Sequence, residues 1–153
     1  MFHIVLVEPE IPQNTGNISR TCAITGAALH LVRPLGFSLD EKHLKRAGLD
    51  YWKDLTLYLH DSFEELEKEY PSARFFLMTT KGTTCYADTE FKDGDFLVFG
   101  KETKGLSPEL RARRAEDCRR IPMGPGQRSL NLSNTVALVL YEALRQNGFP
   151  GLV

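Results

Sequence analysis

Residues 2–32 read FHIVLVEPEIPQNTGNISRTCAITGAALHLV. Phe2 to Val7 is a short apolar run suited to a buried strand. Pro9 and Pro12 close it. Asn14 or Thr15 can cap a helix running to about Thr25, with Gly26 as its stop. Ala28 to Val32 then reads as a second strand.

The rest of the chain repeats this alternation. Asp40 opens a short basic helix, Asp40 to Ala47, closed by Gly48. Leu55 to Leu59 is a brief strand. Ser62 with Glu65 forms a capping box for a helix to Tyr70, and Pro71 follows it. Arg74 to Met78 and Asp95 to Phe99 are further strands. Ser107-Pro108-Glu109 supplies an N-cap, a proline at the first helical position and an acid in the first turn of a helix ending near Ala115. Cys118 to Ile121 is a last strand. The final helix covers Leu132 to Gln146, and Gly148 and Pro150 end it. Alternating strands and helices predict an α/β fold with a mainly parallel sheet and helices on both faces. No repeat or linker interrupts the chain, so residues 1–153 read as a single domain. Ligands in such sheets bind beyond the carboxyl ends of the strands, here just after Val7, Met78, Phe99 and Ile121.

Composition agrees with this reading. The chain has 153 residues, 42% hydrophobic and 25% charged, with a formal net charge of −1. A chain this long buries roughly 70% of its unfolded surface and needs no disulfide or metal staple. Three cysteines and four scattered histidines give no CxxC and no zinc knuckle, so a reduced, cytoplasmic setting is expected. The N-terminus lacks a basic n-region, and its apolar run ends at Glu8, which argues against a signal peptide or membrane span. Charge is uneven along the chain. Residues 20–53 carry net +3, residues 61–95 net −5 and residues 101–128 net +4. Two basic stretches can form one basic face toward a polyanion, or be ordinary solvated surface.

Three segments carry unusual chemistry. In the first, Pro12 to Arg20, Asn14, Asn17 and Arg20 or Thr21 are spaced to share one helix face. Amides ending in a guanidinium suit phosphate and hydroxyl contacts, although a cap with a surface arginine is the plainer alternative. The second, FGKETKGL at Phe99 to Leu106, places two glycines after a strand, where backbone can approach a ligand closely. Glu102 between them can orient an arginine or a ligand. It matches neither common phosphate-loop pattern, and an ordinary connecting loop is the alternative. The third is IPMGPGQRSLNLSN at Ile121 to Asn134. Ser129, Asn131, Ser133 and Asn134 are several caps where one helix needs one, which suggests hydrogen bonds to a ligand or redundant capping. The following helix is apolar on nearly every side, as for a buried helix or an oligomer interface. Trp52, Tyr51, Phe75 and Phe76 read as core residues, as do Cys22 and Cys118.

Together, in this order and spacing, these segments resemble the SPOUT superfamily of RNA methyltransferases. The matching motifs are N-x-G-x-x-x-R at Asn14, Gly16 and Arg20, F-G-x-E-x-x-G-L at Phe99 to Leu106, and IPM…RSLNLSN. The short length, the EPEIPQNTGNI opening and RAGLDYW at Arg46 to Trp52 are similar to the tRNA (cytidine(34)-2′-O)-methyltransferase group. That group methylates the wobble ribose of leucine tRNAs, on cytidine or 5-carboxymethylaminomethyluridine. The resemblance implies a C-terminal trefoil knot, which pattern reading alone would not suggest. It also implies an S-adenosyl-L-methionine site, a homodimer and the tRNA anticodon stem-loop as partner. Lys101 stands where a proline is common in the second motif.

By this resemblance, Met78, Gly100, Ile121, Met123, Ser129 and Leu130 hold the cofactor, and a side chain at 100 would occupy ligand space. The catalytic candidates are Arg20, Asn14, Glu102, Ser129 and Asn131, and no metal is required. The family assigns the 2′-hydroxyl proton to Arg20. A guanidinium resists deprotonation, so stabilisation of the developing alkoxide is an equally physical role. Asn14 positions the ribose or Arg20, and Glu102 holds the arginine fork. Ser129 and Asn131 orient the substrate or the methionine end of the cofactor. RNA contact is expected from Arg20, Lys42, Lys45, Arg46, Lys101, Lys104 and the Arg111-Arg113-Arg114 cluster. A charge at Val139 is expected to break the dimer. Methylation of another tRNA or ribosomal nucleotide, or RNA binding without catalysis, are the competing functions.

Overall fold

The structure is a computed structural model that describes residues 1–39 and 52–153. The expected helix Asp40–Ala47, the basic residues Lys42, Lys45 and Arg46, Tyr51 and the side chain of Trp52 lie outside the described residues. The strands are β1 (His3–Val7), β2 (Ala28–Val32), β3 (Leu57–His60), β4 (Phe75–Met78), β5 (Thr84–Cys85), β6 (Phe96–Phe99) and β7 (Cys118–Arg120). They form one seven-stranded sheet in the order β3-β2-β1-β6-β4-β7-β5. Every pairing in it is parallel.

The helices are α1 (Pro12–Thr25), α2 (Phe63–Glu69), α3 (Pro108–Arg113) and α4 (Leu132–Gln146). Helices α1 and α4 cover one sheet face, where Ile18, Cys22, Val136 and Leu140 pack on Ile4, Leu6, Leu97 and Phe99. Helices α2 and α3 cover the other, where Phe63, Leu66 and Leu110 meet Val5, Phe75, Leu77 and Val98. Burial on both faces explains why the central strands read as continuous apolar runs. Phe75, Phe76, Cys22 and Cys118 are buried as expected.

Local signals place most element ends. Ser62 Oγ accepts from Glu65 N at 3.1 Å, and Ser107 Oγ accepts from Leu110 N at 3.2 Å. Gly26 stops α1 in the left-handed region, at φ 77°. The start of α1 differs from the sequence expectation. Its N-cap is Ile11, which makes no side-chain cap, and Asn14 and Thr15 lie buried in the first turn. Strand β5 and the 3-10 turns Trp52–Asp54, Tyr86–Asp88 and Ala115–Asp117 are too short to leave a periodic signal.

Helix α4 has the expected bounds, and of the two readings of its apolar surface, burial accounts for one side within this chain. Val136, Val139, Leu140, Ala143 and Leu144 face the core, whereas Leu138 and Tyr141 are exposed. Val139 is completely buried within this chain. A charge there would break the core before it reached any dimer, because an unpaired buried charge is very costly.

Three of the four scattered histidines, His3, His30 and His60, come together. Parallel pairing sets Val5 opposite His30, His30 opposite Tyr58 and Val32 opposite His60. His3 Nδ1 lies 2.9 Å from His30 Nε2, and His30 Nδ1 lies 2.9 Å from His60 Nε2. His30 and His60 are buried. Burial, with His3 and His60 as neighbours, lowers the His30 pKa to about 3.

Candidate active site

Strands β4, β6 and β7 end side by side, and a cavity of about 340 Å³ opens at their carboxyl ends. All six expected cofactor residues, Met78, Gly100, Ile121, Met123, Ser129 and Leu130, line it. Asn14, Glu102 and Asn131 line it too. The three chemically unusual segments therefore share one pocket. The loop after β4 adds Thr79, Thr80 and Lys81, and α3 adds Arg111. The sequence marks the end of Met78 as site-forming but singles out none of Thr79, Thr80 and Lys81, and it offers Arg111 only for RNA contact. Their signal is topological, since they follow a strand end or open onto one.

Gly100 has a different reason from the one expected. A Cβ built there would lie 2.3 Å from Gly105 C and Leu106 N. The obstacle is the loop's own backbone, not ligand space. The loop folds back through Gly105 N, which donates to Lys101 O at 2.9 Å, and Gly105 takes φ 67°. Only a residue without a side chain at 100 permits that return.

Glu102 is an acceptor for backbone. Its Oε2 receives Glu10 N at 2.9 Å and Ile11 N at 2.7 Å. These amides precede α1, and Pro12 at the first helical position has no N–H of its own. A carboxylate from a distant loop thus does the work expected of a local cap. Burial pushes the Glu102 carboxyl up, against the pull of those amides. Glu10 returns the contact, its Oε1 receiving Thr103 N at 3.1 Å and Thr103 Oγ1 at 2.7 Å. Lys101 pairs with Glu8 at 3.8 Å.

Asn131 caps α4, its Oδ1 receiving Ser133 N at 2.9 Å and Asn134 N at 3.2 Å. Its Nδ2 donates to Asn14 Oδ1 at 3.2 Å. Asn14 and Asn131 are thereby tied to each other. Ser129 and Leu130 are exposed at the pocket mouth.

Arg20 is exposed on α1 and is not among the residues lining the pocket. It stands six residues past Asn14, roughly 9 Å along the helix. The arginine cluster divides. Arg111 lines the pocket and donates to Leu106 O, while Arg113 and Arg114 are bound to Glu67 at 2.5 to 2.9 Å. Lys101, Lys104, Lys81 and Arg111 therefore form the basic rim. No helix among the described residues is long and apolar enough to cross a membrane.

A parallel α/β sheet with glycine-hinged loops converging on a partly apolar, basic-rimmed pocket defines a cofactor-binding domain of the doubly covered kind. Residues 1–141 match the SpoU rRNA Methylase family, and the chain belongs to that family. It is 56% identical over 154 residues to a Polaromonas protein named tRNA (cytidine(34)-2′-O)-methyltransferase, with 99% of this chain and 94% of that protein covered. A solved structure described as "Structural insights into the 2-OH methylation of C/U34 on tRNA" superposes with a TM-score of 0.91 and 47% identity, covering 97% of each chain. The SpoU methyltransferase AviRb from Streptomyces viridochromogenes, solved with the cofactor AdoMet, superposes with a TM-score of 0.84 and 25% identity. That match covers 95% of this chain and 57% of AviRb.

Proposed function

We propose that this protein is a tRNA (cytidine(34)-2′-O)-methyltransferase that uses S-adenosyl-L-methionine to methylate the wobble ribose, on cytidine or a modified uridine of leucine tRNAs. The observation that carries this reading is the convergence of all three motif segments on one pocket. Full-length similarity to the Polaromonas enzyme and to the C/U34 structure supports the substrate. The AdoMet-bound AviRb supports the cofactor.

The donor set fits that cofactor. Met78, Phe99, Leu106, Ile121 and Leu130 give an apolar slot for an adenine, while Thr79, Ser129 and backbone at Gly100 and Met123 give polar edges. When bound, S-adenosyl-L-methionine supplies an electrophilic methyl group carried on a sulfonium. The protein's part is alignment and charge handling, since in-line transfer rewards geometry. Asn131, fixed by its cap and by Asn14, holds the pocket side of α1 in place. Arg20 acts at the 2′-oxygen from the exposed face of α1, where a guanidinium stabilises developing negative charge. Glu102 acts by holding the start of α1, not by direct contact with the reacting atoms. Ser129 at the mouth orients bound groups by its hydroxyl.

The reading includes a C-terminal trefoil knot, a single catalytic domain over residues 1–153, a homodimer and a cytoplasmic setting. Exposed Leu138 and Tyr141 on α4, with exposed Ile24 on the neighbouring α1, support a dimer face. The anticodon stem-loop is the expected RNA partner, held at the rim of Lys81, Lys101, Lys104 and Arg111. The test is incubation of purified protein with methyl-labelled S-adenosylmethionine and total tRNA, followed by nucleoside mapping. Label in 2′-O-methylated nucleotide 34 of leucine tRNAs is expected. Label confined to another tRNA nucleotide, or seen only with ribosomal RNA, contradicts the substrate assignment.

A further inference from the structure

Strands β1 and β6 are neighbours, so the loops leaving them run side by side. One loop leads into α1 and the other lines the pocket. They exchange carboxylates. Glu102 accepts from Glu10 N and Ile11 N, and Glu10 accepts from Thr103 N and Thr103 Oγ1. Each glutamate thus holds the loop that carries the other. Two like charges are brought close, which is costly unless donors face both. Here four donors do so, and Lys101 pairs with Glu8 alongside. The Thr103 hydrogen bonds keep the Glu10 carboxyl below the usual carboxylate range, so it is charged at neutral pH. Glu8 itself sits at φ 55°, a backbone conformation that side chains rarely adopt. The loop is held in that shape while Gly36 packs against it, with a Cβ there 2.8 Å from Glu10 Cα.

We infer that Glu10 and Thr103 form a positioning latch for methyl transfer, fixing α1 against the pocket loop so that substrate and cofactor sides meet in register. The inference rests on the methyltransferase reading above. Glu10 is half-buried and is not among the residues lining the pocket, so its carboxylate acts through Thr103 and through the shared loop. A displacement of about 1 Å between reacting groups costs on the order of 100-fold in rate. Loosening the latch should therefore lower kcat while leaving affinity nearly intact.

The test uses Glu10→Ala, Glu10→Gln and Thr103→Val in the full chain. Glu10→Ala should lower kcat on tRNA at least about tenfold, with the cofactor Kd and tRNA KM within about threefold. Glu10→Gln keeps an acceptor for Thr103 and should recover most of the rate. Thr103→Val removes the hydroxyl donor alone and should fall between them. Amide exchange at residues 10–15 should quicken in Glu10→Ala while that of β1 and β6 stays unchanged. A Glu10→Ala enzyme with wild-type kcat overturns the latch. Equal losses of kcat and cofactor affinity, with no rescue by glutamine, also overturn it and leave a merely structural role. If the wild-type protein methylates no tRNA, the functional reading fails, and the exchange measurement still decides whether Glu10 fixes the start of α1.

Discussion

Asn131 Nδ2 donates to Asn14 Oδ1 at 3.2 Å, a side-chain bond between residues 117 positions apart. The same Asn131 offers its Oδ1 to Ser133 N and Asn134 N. One amide therefore starts α4 and grips the first turn of α1. This makes its two ends separable by mutation.

Asn131→Ala should lose both the cap and the grip. Loss of an N-cap costs about 1 kcal/mol. Asn14→Ala keeps the cap and leaves the Asn131 amide at the exposed mouth, where water can receive it. Urea unfolding should show Asn131→Ala less stable than Asn14→Ala, while both lose methyl transfer. Equal stability of the two variants would contradict the cap assignment.

Gly100→Ala should deform the pocket loop, because its Cβ would lie 2.3 Å from Gly105 C. Gly124→Ala is the control, with the nearest heavy atom at an ordinary 3.8 Å. Calorimetry with S-adenosylmethionine should show binding lost in the first variant and kept in the second. Cofactor binding by Gly100→Ala within threefold of wild type would show that the loop can open freely.

The histidine chain should make the fold acid-sensitive. Folded His30 stays neutral until about pH 3, whereas an unfolded histidine takes a proton near 6.5. Below 6.5 the unfolded state binds the extra proton, so stability falls as pH drops from 6.5 toward 3 and is flat above that window. His3 and His60 flank the ring along the strands, with Tyr58, Tyr70 and Phe96 packed around it. Glu69 stands 3.7 Å from His60 Nδ1 at the far end. Between pH 7 and pH 5 the His30 contribution is about 2 kcal/mol. Urea midpoints at these pH values measure it, and a midpoint independent of pH would contradict a neutral, buried His30.

Leu138→Glu with Tyr141→Lys should weaken self-association while the monomer stays folded, since both side chains face outward. Val139→Glu should instead unfold the chain by placing a charge in the core. Sedimentation and circular dichroism separate the two outcomes. A folded dimer in the double variant would move the interface elsewhere.

What could be read in advance was local. Apolar runs mark β1, β2, β3, β4 and β6, Ser62 and Ser107 mark their helix starts, and α4 has the bounds its sequence predicts. The three site segments were also legible, because glycines, amides and a charged residue directly follow strand ends. What escaped depends on strand order, which no periodicity encodes. Placing β6 beside β1 brings Glu102 to Glu10 and Ile11, and α1 takes its N-cap at Ile11, three residues before Asn14. The same ordering, with β2 between β1 and β3, lines up His3, His30 and His60. The division of Arg111 from Arg113 and Arg114 follows from α3 packing near Glu67 of α2.

The proposed reaction is transfer of a methyl group to the 2′-oxygen of the wobble nucleotide. It is tested most directly with two leucine tRNAs that differ only at nucleotide 34, one carrying ribose there and one 2′-deoxyribose. Purified protein and methyl-labelled S-adenosylmethionine should label the first to about one methyl per tRNA and leave the second unlabelled, because the acceptor oxygen is gone. Equal labelling of both would rule out the 2′-oxygen of nucleotide 34 as the methyl acceptor.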